Sequence, residues 1–305
     1  MTPRLAVTLG DPRGIGPEIV RAALAAPLDA EITAIGPEDL IADLPVSRRV
    51  GVGRWEGGVG ERAEDRVRTM KAGKLAGHAI EAAAKLARDG EVDAIVTAPI
   101  EKRACHLAGF AYPGHTEWLG ALAGGVETVM MLASERLRVV LVTTHVPLRD
   151  VPILLTIDRI VRTGRITLKA LRDGFGIAEP RLVLCALNPH AGEGGLFGDE
   201  EERVLRPAAD QLGAAGPLAA DTVFVRAMRG EFDVVLAPYH DVGMTAIKVA
   251  SFGDAVNVTL GLPYPRTSPD HGTAFDIAGT GKASPVSMRR ALQLATELAA
   301  RAANA

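Results

Sequence analysis

Short apolar runs punctuate the chain. Residues 5–9, 32–36, 94–97, 129–133, 138–143, 182–187, 234–237 and 255–260 each have the length and character of a buried strand. Longer segments with helical period lie between many of them. Segment 73–90 puts Leu75, Ala79, Ala82, Ala83 and Leu86 on one stripe and stops at Gly90. Segment 156–176 repeats the pattern, with Gly174 as its stop. Segment 199–213 opens on acids, which a helix dipole favours in the first turn, and Pro207 predicts a kink within it. Segment 287–305 reads as an amphipathic terminal helix. Strands alternating with helices predict an α/β fold with largely parallel sheets.

Length and composition sharpen this picture. A chain of 305 residues suggests about two domains. Hydrophobic residues make up 48% and aromatics only 4%, so the cores must be aliphatic and alanine-rich. No repeat or low-complexity linker separates the halves, which hints that the chain crosses between its lobes more than once. A net charge of −3 with scattered basic residues excludes the electrostatic footprint of nucleic-acid binding. No apolar stretch is long enough to span a bilayer, and MTPRLAVTLGDP lacks signal-peptide features. Cys105 and Cys185 are too few for a disulfide framework and read as reduced thiols. A cytoplasmic protein is expected.

In parallel sheets, ligands gather at the carboxyl ends of strands. The segments that follow the predicted strands include GDPRGIGPE (10–18), TAPIEK (97–102), THVPLRD (144–150), NPHAGEGG (188–195) and PYHDVGM (238–244). Three of them present a histidine: His145, His190 and His240. Neutral imidazole is a common ligand for divalent metals, and three protein ligands leave positions open for chemistry. The wide separations match no local zinc motif, so separate hydrogen-bonding roles are the alternative. Around His190, Pro189 restricts Asn188 to extended conformations, and Gly192, Gly194 and Gly195 allow close backbone approach. An ordinary glycine-rich strand-to-helix turn is the plainer reading.

GDPRGIGPE lacks the third glycine of a dinucleotide fingerprint. Taken alone it is a tight turn into a helix, with Pro17 near the first position. His115 and Thr116 of GHTE sit at a predicted helix start, and Lys248, Asn257 and Arg266 come later. Such donors suit a phosphate monoester, although each alone also reads as an ordinary polar residue. His78, on the 73–90 helix, reads as structural, and His106 as a surface residue.

GDPRGIGPE, TAPIEK, GHTE, TTHVPLRD, LNPHAGEGGLFGDEE, GPLAADTVF, YHDVGM, NVTLGLPYPRTSPDHGTAFDIAG and GKASP occur in this order. Over nearly its whole length the chain resembles the 4-hydroxythreonine-4-phosphate dehydrogenase family of vitamin B6 biosynthesis. HGTAFDIAGTGKASP also looks like the adenine-binding loop of isocitrate and isopropylmalate dehydrogenases. The resemblance implies two α/β/α lobes with an active-site cleft between them. The first lobe is 1–128 plus 264–305, with both termini and the cofactor loop. The second is 129–263, with the metal ligands and the interface of a homodimer whose active site is shared between subunits.

By the same resemblance, His145, His190 and His240 match the metal ligands, the His240 position being supplied across the dimer. His115, Thr116, Lys248, Asn257 and Arg266 match substrate contacts. Gly14, Ile15, Gly16, His271, Gly272, Thr273 and Ala274 match the seat of NAD or NADP. Asp241 and Asp221 match acids close to the substrate. The implied reaction uses one divalent ion (Zn, Mg, Co or Mn). It oxidises 4-phosphooxy-L-threonine to a 3-oxo acid, which decarboxylates to 3-amino-2-oxopropyl phosphate in pyridoxal phosphate biosynthesis. The alternatives are another phosphorylated sugar acid, such as a 4-phospho-threonate or 4-phospho-erythronate, a dihydrodiol, a non-catalytic metabolite-binding role, or metal-dependent hydrolysis. Three departures stand out: Glu101 where many members carry His, Val242 where a polar amide is common, and Tyr264 with Pro265 where bulky apolar residues are usual.

Overall fold

The computed structural model describes residues 1–60, 65–251 and 254–303. The chain divides into two compact units, Met1–Thr128 with Leu262–Ala305, and Val129–Gly261.

The first unit holds strands β1 (Arg4–Thr8), β2 (Glu31–Gly36), β3 (Arg48–Gly51) and β4 (Ala94–Thr97). The second unit supplies β5 (Val129–Ala133), β6 (Arg138–Leu141), β7 (Leu182–Cys185), β8 (Ala215–Leu218), β9 (Val234–Ala237) and β10 (Val256–Leu260). The chain then returns to the first unit for β11 (Arg266–Pro269).

Within the first unit the strand order is β3-β2-β1-β4-β11, and every neighbouring pair is parallel. Helices cover the sheet, so its central strands are apolar without alternation: Leu5, Ala6 and Val7 are fully buried. Helix Arg66–Arg88 starts where Asp65 accepts the N–H groups of Val67 and Arg68. Its Gly73 permits close contact with the helix Lys102–Leu107, because a Cβ there would lie 2.0 Å from the Ala104 carbonyl oxygen. Adjacent parallel strands end on the same side of a sheet. The carboxyl ends of β1, β4 and β11 therefore bring the 10–16 turn, segment 98–102 and loop 270–274 to one edge.

Within the second unit the order is β10-β5-β6-β9-β7-β8. The run β6-β9-β7-β8 is parallel, as the alternating pattern predicts. Strands β10, β5 and β6 pair antiparallel. The cause is local. Only four residues join β5 to β6, and the Ser134 hydroxyl accepts the Leu137 N–H at 3.1 Å to close a hairpin. A parallel crossover needs a dozen residues or more.

Three strands carry no apolar run and escape the pattern. β3 is a polar, exposed edge, β8 contains Gly216 and Pro217, and β11 reads RTSP. The predicted 199–213 helix is a π turn, Glu201–Leu205, leading into the α-helix Arg206–Leu212. Pro207 sits in the first turn of that second piece, where its missing N–H costs nothing. The terminal helix spans Val286–Ala302, and residues 304–305 of the expected segment lie outside the described residues.

Candidate active site

The three histidines follow three adjacent parallel strands. His145 comes after β6, His240 after β9 and His190 after β7. Two hydrogen bonds join the first two loops. The Val142 N–H donates to the Ala237 carbonyl at 2.9 Å, and the buried Thr143 hydroxyl donates to the Pro238 carbonyl at 2.8 Å. Beyond them the rings of His145 and His240 stand 5.4 Å apart, centroid to centroid. His240 Nδ1 lies 2.9 Å from Asp241 Oδ1. With the Nδ1 proton given to that carboxylate, Nε2 keeps its lone pair outward, the arrangement carboxylate-backed metal ligands use.

His190 sits differently. Residues 190–194 all take left-handed backbone angles, with φ of 50° at His190, 56° at Ala191 and 44° at Glu193. Its ring meets Glu193 at 3.0 Å through Nδ1 and Phe197 edge-on. His145 is also left-handed, at φ 49°. Non-glycine residues pay for such angles, and they persist where surrounding structure enforces them, often at functional sites. Among the described residues of one chain, no three His, Cys, Asp or Glu side chains form a metal-holding group. The histidine pair with its carboxylate backing has the donor chemistry for a divalent ion, and within one chain it stands as a pair. Asp221 lies in the first turn of the helix Ala220–Met228, which follows β8.

The first unit concentrates positive charge around a half-buried base. Arg266 opens β11, is 2% exposed and donates to the Thr97 hydroxyl at the end of β4. Burial pulls its pKa down to about 9, against the opposing pull of Glu117. His115 begins the helix His115–Leu122. That helix is anchored by fully buried Trp118, which packs on Phe110 and Tyr112. Burial, then the charges of Arg266 and Lys102, hold the His115 pKa well below its ordinary value. Its Nε2 is buried without a hydrogen-bond partner. A neutral imidazole with an unsatisfied nitrogen beside a buried guanidinium is an environment that favours an anion. Thr116 sits next to it on the same helix and is half-buried. In the second unit, Asn257 of β10 has a buried, unpartnered Oδ1. Lys248 is exposed on the helix His240–Ser251.

The glycine turn and the 270–274 loop also meet. The Ile15 N–H donates to the Thr273 carbonyl at 2.9 Å. Gly14 has to be glycine, since a Cβ would lie 2.8 Å from that same carbonyl oxygen. Gly16 packs as closely on Leu9. Ala274 is left-handed at φ 42°. His271 Nε2 is buried and unpartnered, and the space beside Gly272 is open to 4 Å. An orphaned nitrogen and bare backbone facing open space fit a bound ligand such as a dinucleotide.

Sequence reasoning passed over several contributors. Thr97 and Lys102, which touch or bias Arg266 and His115, lie inside TAPIEK, already marked by its place after a strand. Two of the family departures are core contacts: Val242 packs against the core of the second unit, and Tyr264 is buried in the core of the first. His78 lies edge-on to Phe110, a packing role as expected, and His106 is exposed.

Strand-end histidines, a buried arginine and a glycine turn on a two-unit α/β frame point to an enzyme. Comparison with known proteins is more specific. The family model described as "Pyridoxal phosphate biosynthetic protein PdxA" matches residues 26–295, and the chain belongs to that family. A 4-hydroxythreonine-4-phosphate dehydrogenase of Geobacter metallireducens is 46% identical over 327 residues, covering 97% of this chain and 96% of the relative. The crystal structure of a 4-hydroxythreonine-4-phosphate dehydrogenase from Klebsiella pneumoniae is 38% identical with a TM-score of 0.87, covering 98% of each chain. A terephthalate 1,2-cis-dihydrodiol dehydrogenase from Burkholderia xenovorans is 29% identical with a TM-score of 0.68, covering 96% of this chain and 97% of that one. The protein is a dehydrogenase, an oxidoreductase acting on a secondary alcohol. None of its described helices is long and apolar enough to cross a membrane.

Proposed function

We propose that this chain oxidises the secondary hydroxyl of 4-phosphooxy-L-threonine with NAD or NADP as hydride acceptor. The 3-oxo acid product then loses carbon dioxide to give 3-amino-2-oxopropyl phosphate, in the service of pyridoxal phosphate biosynthesis. The observation that carries the reading is the His115–Arg266 group. A buried guanidinium and a neutral imidazole with an unsatisfied Nε2 suit an anionic group such as a phosphate. The names of the Geobacter and Klebsiella relatives support the same substrate.

In this reading His115, Thr116 and Arg266 hold the phosphate, and Lys248 and Asn257 take the polar groups of the acid. Binding of the phosphate, which takes no part in the chemistry, supplies energy to orient the neighbouring carbon for hydride loss. His145, His190 and His240 hold one divalent cation in a homodimer; the resemblance assigns the His240 position to the second copy, whereas within one chain the His240 ring already stands beside His145. A divalent ion bound there lowers the pKa of an alcohol and polarises a carbonyl. Asp241 orients the His240 ring through Nδ1. Asp221 accepts the hydroxyl proton. Gly14, Ile15, Gly16 and loop 271–274 seat the dinucleotide, whose nicotinamide supplies the hydride chemistry.

The dihydrodiol reading has the Burkholderia relative behind it; a terephthalate dihydrodiol would meet Arg266 with a carboxylate instead of a phosphate. Another phosphorylated sugar acid would satisfy the same arginine. The deciding assay follows reduced nicotinamide formation with 4-phosphooxy-L-threonine beside 4-phospho-D-threonate, 4-phospho-erythronate and a cis-dihydrodiol. Turnover confined to the dihydrodiol, or none with any phosphorylated acid, would overturn the reading.

A further inference from the structure

Arg13 lies in the GDPRGIGPE turn and is only 1% exposed, yet it carries a full charge. Every arm of its guanidinium is engaged. Nε and Nη2 grip the two oxygens of buried Asp11 at 3.0 and 2.7 Å. Nη2 also donates to Glu101 Oε2 at 2.6 Å, and Nη1 to the Thr69 hydroxyl at 3.1 Å. Buried bidentate pairing fixes the plane and direction of a guanidinium as an isolated lysine cannot be fixed. One face of that plane meets the ring of Phe275, 5.1 Å from the centroid.

Phe275 immediately follows the strained segment of loop 271–279. Ala274, at φ 42°, is flanked by two anchors. On one side the Thr273 carbonyl is held by the Ile15 N–H, and on the other Phe275 rests on Arg13. A third tie lies further along, where the Gly279 N–H donates to Glu18 at 2.9 Å. A left-handed alanine persists only where its neighbours over-determine it, and the turn that carries Arg13 supplies that determination. Glu101 is the residue that departs from the histidine common in the family, and its carboxylate is used here to hold Arg13.

We propose that Arg13, locked by Asp11 and Glu101, is a positioning residue that presets the 271–279 loop for the nicotinamide dinucleotide. The proposal rests on the reading of that loop as the cofactor seat. Arg13 itself does no chemistry; it acts through Phe275 and keeps the strained loop in its binding shape before the cofactor arrives. Preorganisation of this kind appears as affinity for the ligand whose site is preset.

The test uses the full-length enzyme and three variants, Glu101→Gln, Arg13→Met and Gly272→Val. NADH affinity is read by fluorescence, and KM is measured separately for the dinucleotide and for the phosphorylated substrate. Arg13→Met is expected to weaken NADH binding and raise the dinucleotide KM by about tenfold, the scale of a loop strain no longer enforced. Glu101→Gln, at a partly exposed position and with Asp11 still pairing Arg13, should shift both in the same direction by about threefold. The substrate KM should stay unchanged in both. A merely structural role would lower the active fraction and leave both KM values alone, and that result in both variants overturns the proposal. Gly272→Val separates the two readings, because a Cβ at that position meets nothing within 4 Å. Wild-type NADH affinity in Gly272→Val removes the loop as the cofactor seat and the proposal with it. Weakened binding in Gly272→Val, with wild-type binding in Glu101→Gln and in any folded Arg13→Met, keeps the seat and sinks only the role of Arg13.

Discussion

Glu201 clasps Asn188 from two sides. Its Oε1 accepts the Asn188 backbone N–H at 2.8 Å, and its Oε2 accepts the Asn188 side-chain amide at 2.9 Å. Oε1 also takes the Leu187 N–H at 2.9 Å, and the whole residue is 1% exposed. The acid block after the glycine loop thus reaches back to tie down the strand end that launches His190. Replacing Glu201 by Gln turns one acceptor into a donor facing donors. A buried donor left unsatisfied costs about 1–3 kcal/mol. Urea denaturation of Glu201→Gln should show a lower midpoint with an unchanged slope. A midpoint equal to wild type would mean that the clasp contributes nothing.

The pH dependence of stability should carry the signature of His115. Its folded pKa lies below the ordinary value of about 6.5. The unfolded chain therefore takes up this proton first as pH falls. The stability linked to the neutral ring is fully present above about pH 6.5 and is lost progressively below it. It flattens only below the depressed folded value. Unfolding free energies from about pH 8 to pH 5 should fall more steeply for wild type than for His115→Asn. Parallel curves would remove the burial argument.

How far the sequence reached can be judged from particular residues. Apolar runs such as 94–97, 129–133 and 234–237 match β4, β5 and β9 end for end, because strands packed on both faces by apolar side chains read as continuous apolar runs. β11 did not show itself, because its residues 266–268 are all polar and buried, Arg266 and Thr267 through hydrogen bonds to Thr97 and Ala291. The proximity of His145 and His240 was not readable either. It depends on β6 and β9 being neighbours, a pairing between residues almost a hundred positions apart. The Arg13–Glu101 pair is hidden in the same way. Each residue sits in a motif picked out for its place after a strand, but only the adjacency of β1 and β4 brings them together.

Divalent-ion binding should depend on the loop histidines and ignore the helical one. His145→Ala and His240→Ala each remove a ring from the pair; losing only the carboxylate behind a ligand typically costs about ten- to a hundredfold in affinity, so losing the ring should cost at least that. Cobalt or zinc titration of metal-stripped enzyme should show that loss in both variants. His78→Ala, whose ring only packs on Phe110, should bind as wild type does. Chelator should abolish turnover, with recovery on adding the metal. Full activity of thoroughly stripped enzyme would refute metal dependence.

The two thiols should be silent in the native protein. Cys105 and Cys185 are 2% and 1% exposed, and burial pushes both pKa values up to about 12. For Cys105 the carboxylates of Asp11 and Glu101 add to the effect, and for Cys185 that of Glu201 does. The thiolate is the reacting species, so at neutral pH reactivity is suppressed both by access and by ionisation. An aromatic disulfide reagent should find no thiol in the folded enzyme over minutes and two after denaturation. The Glu201→Gln variant adds a discriminating step. If loosening of the 187–188 strand end is what it does, Cys185 should become slowly reactive there while Cys105 stays silent. Equal labelling of both would point to global unfolding instead of a local opening behind β7.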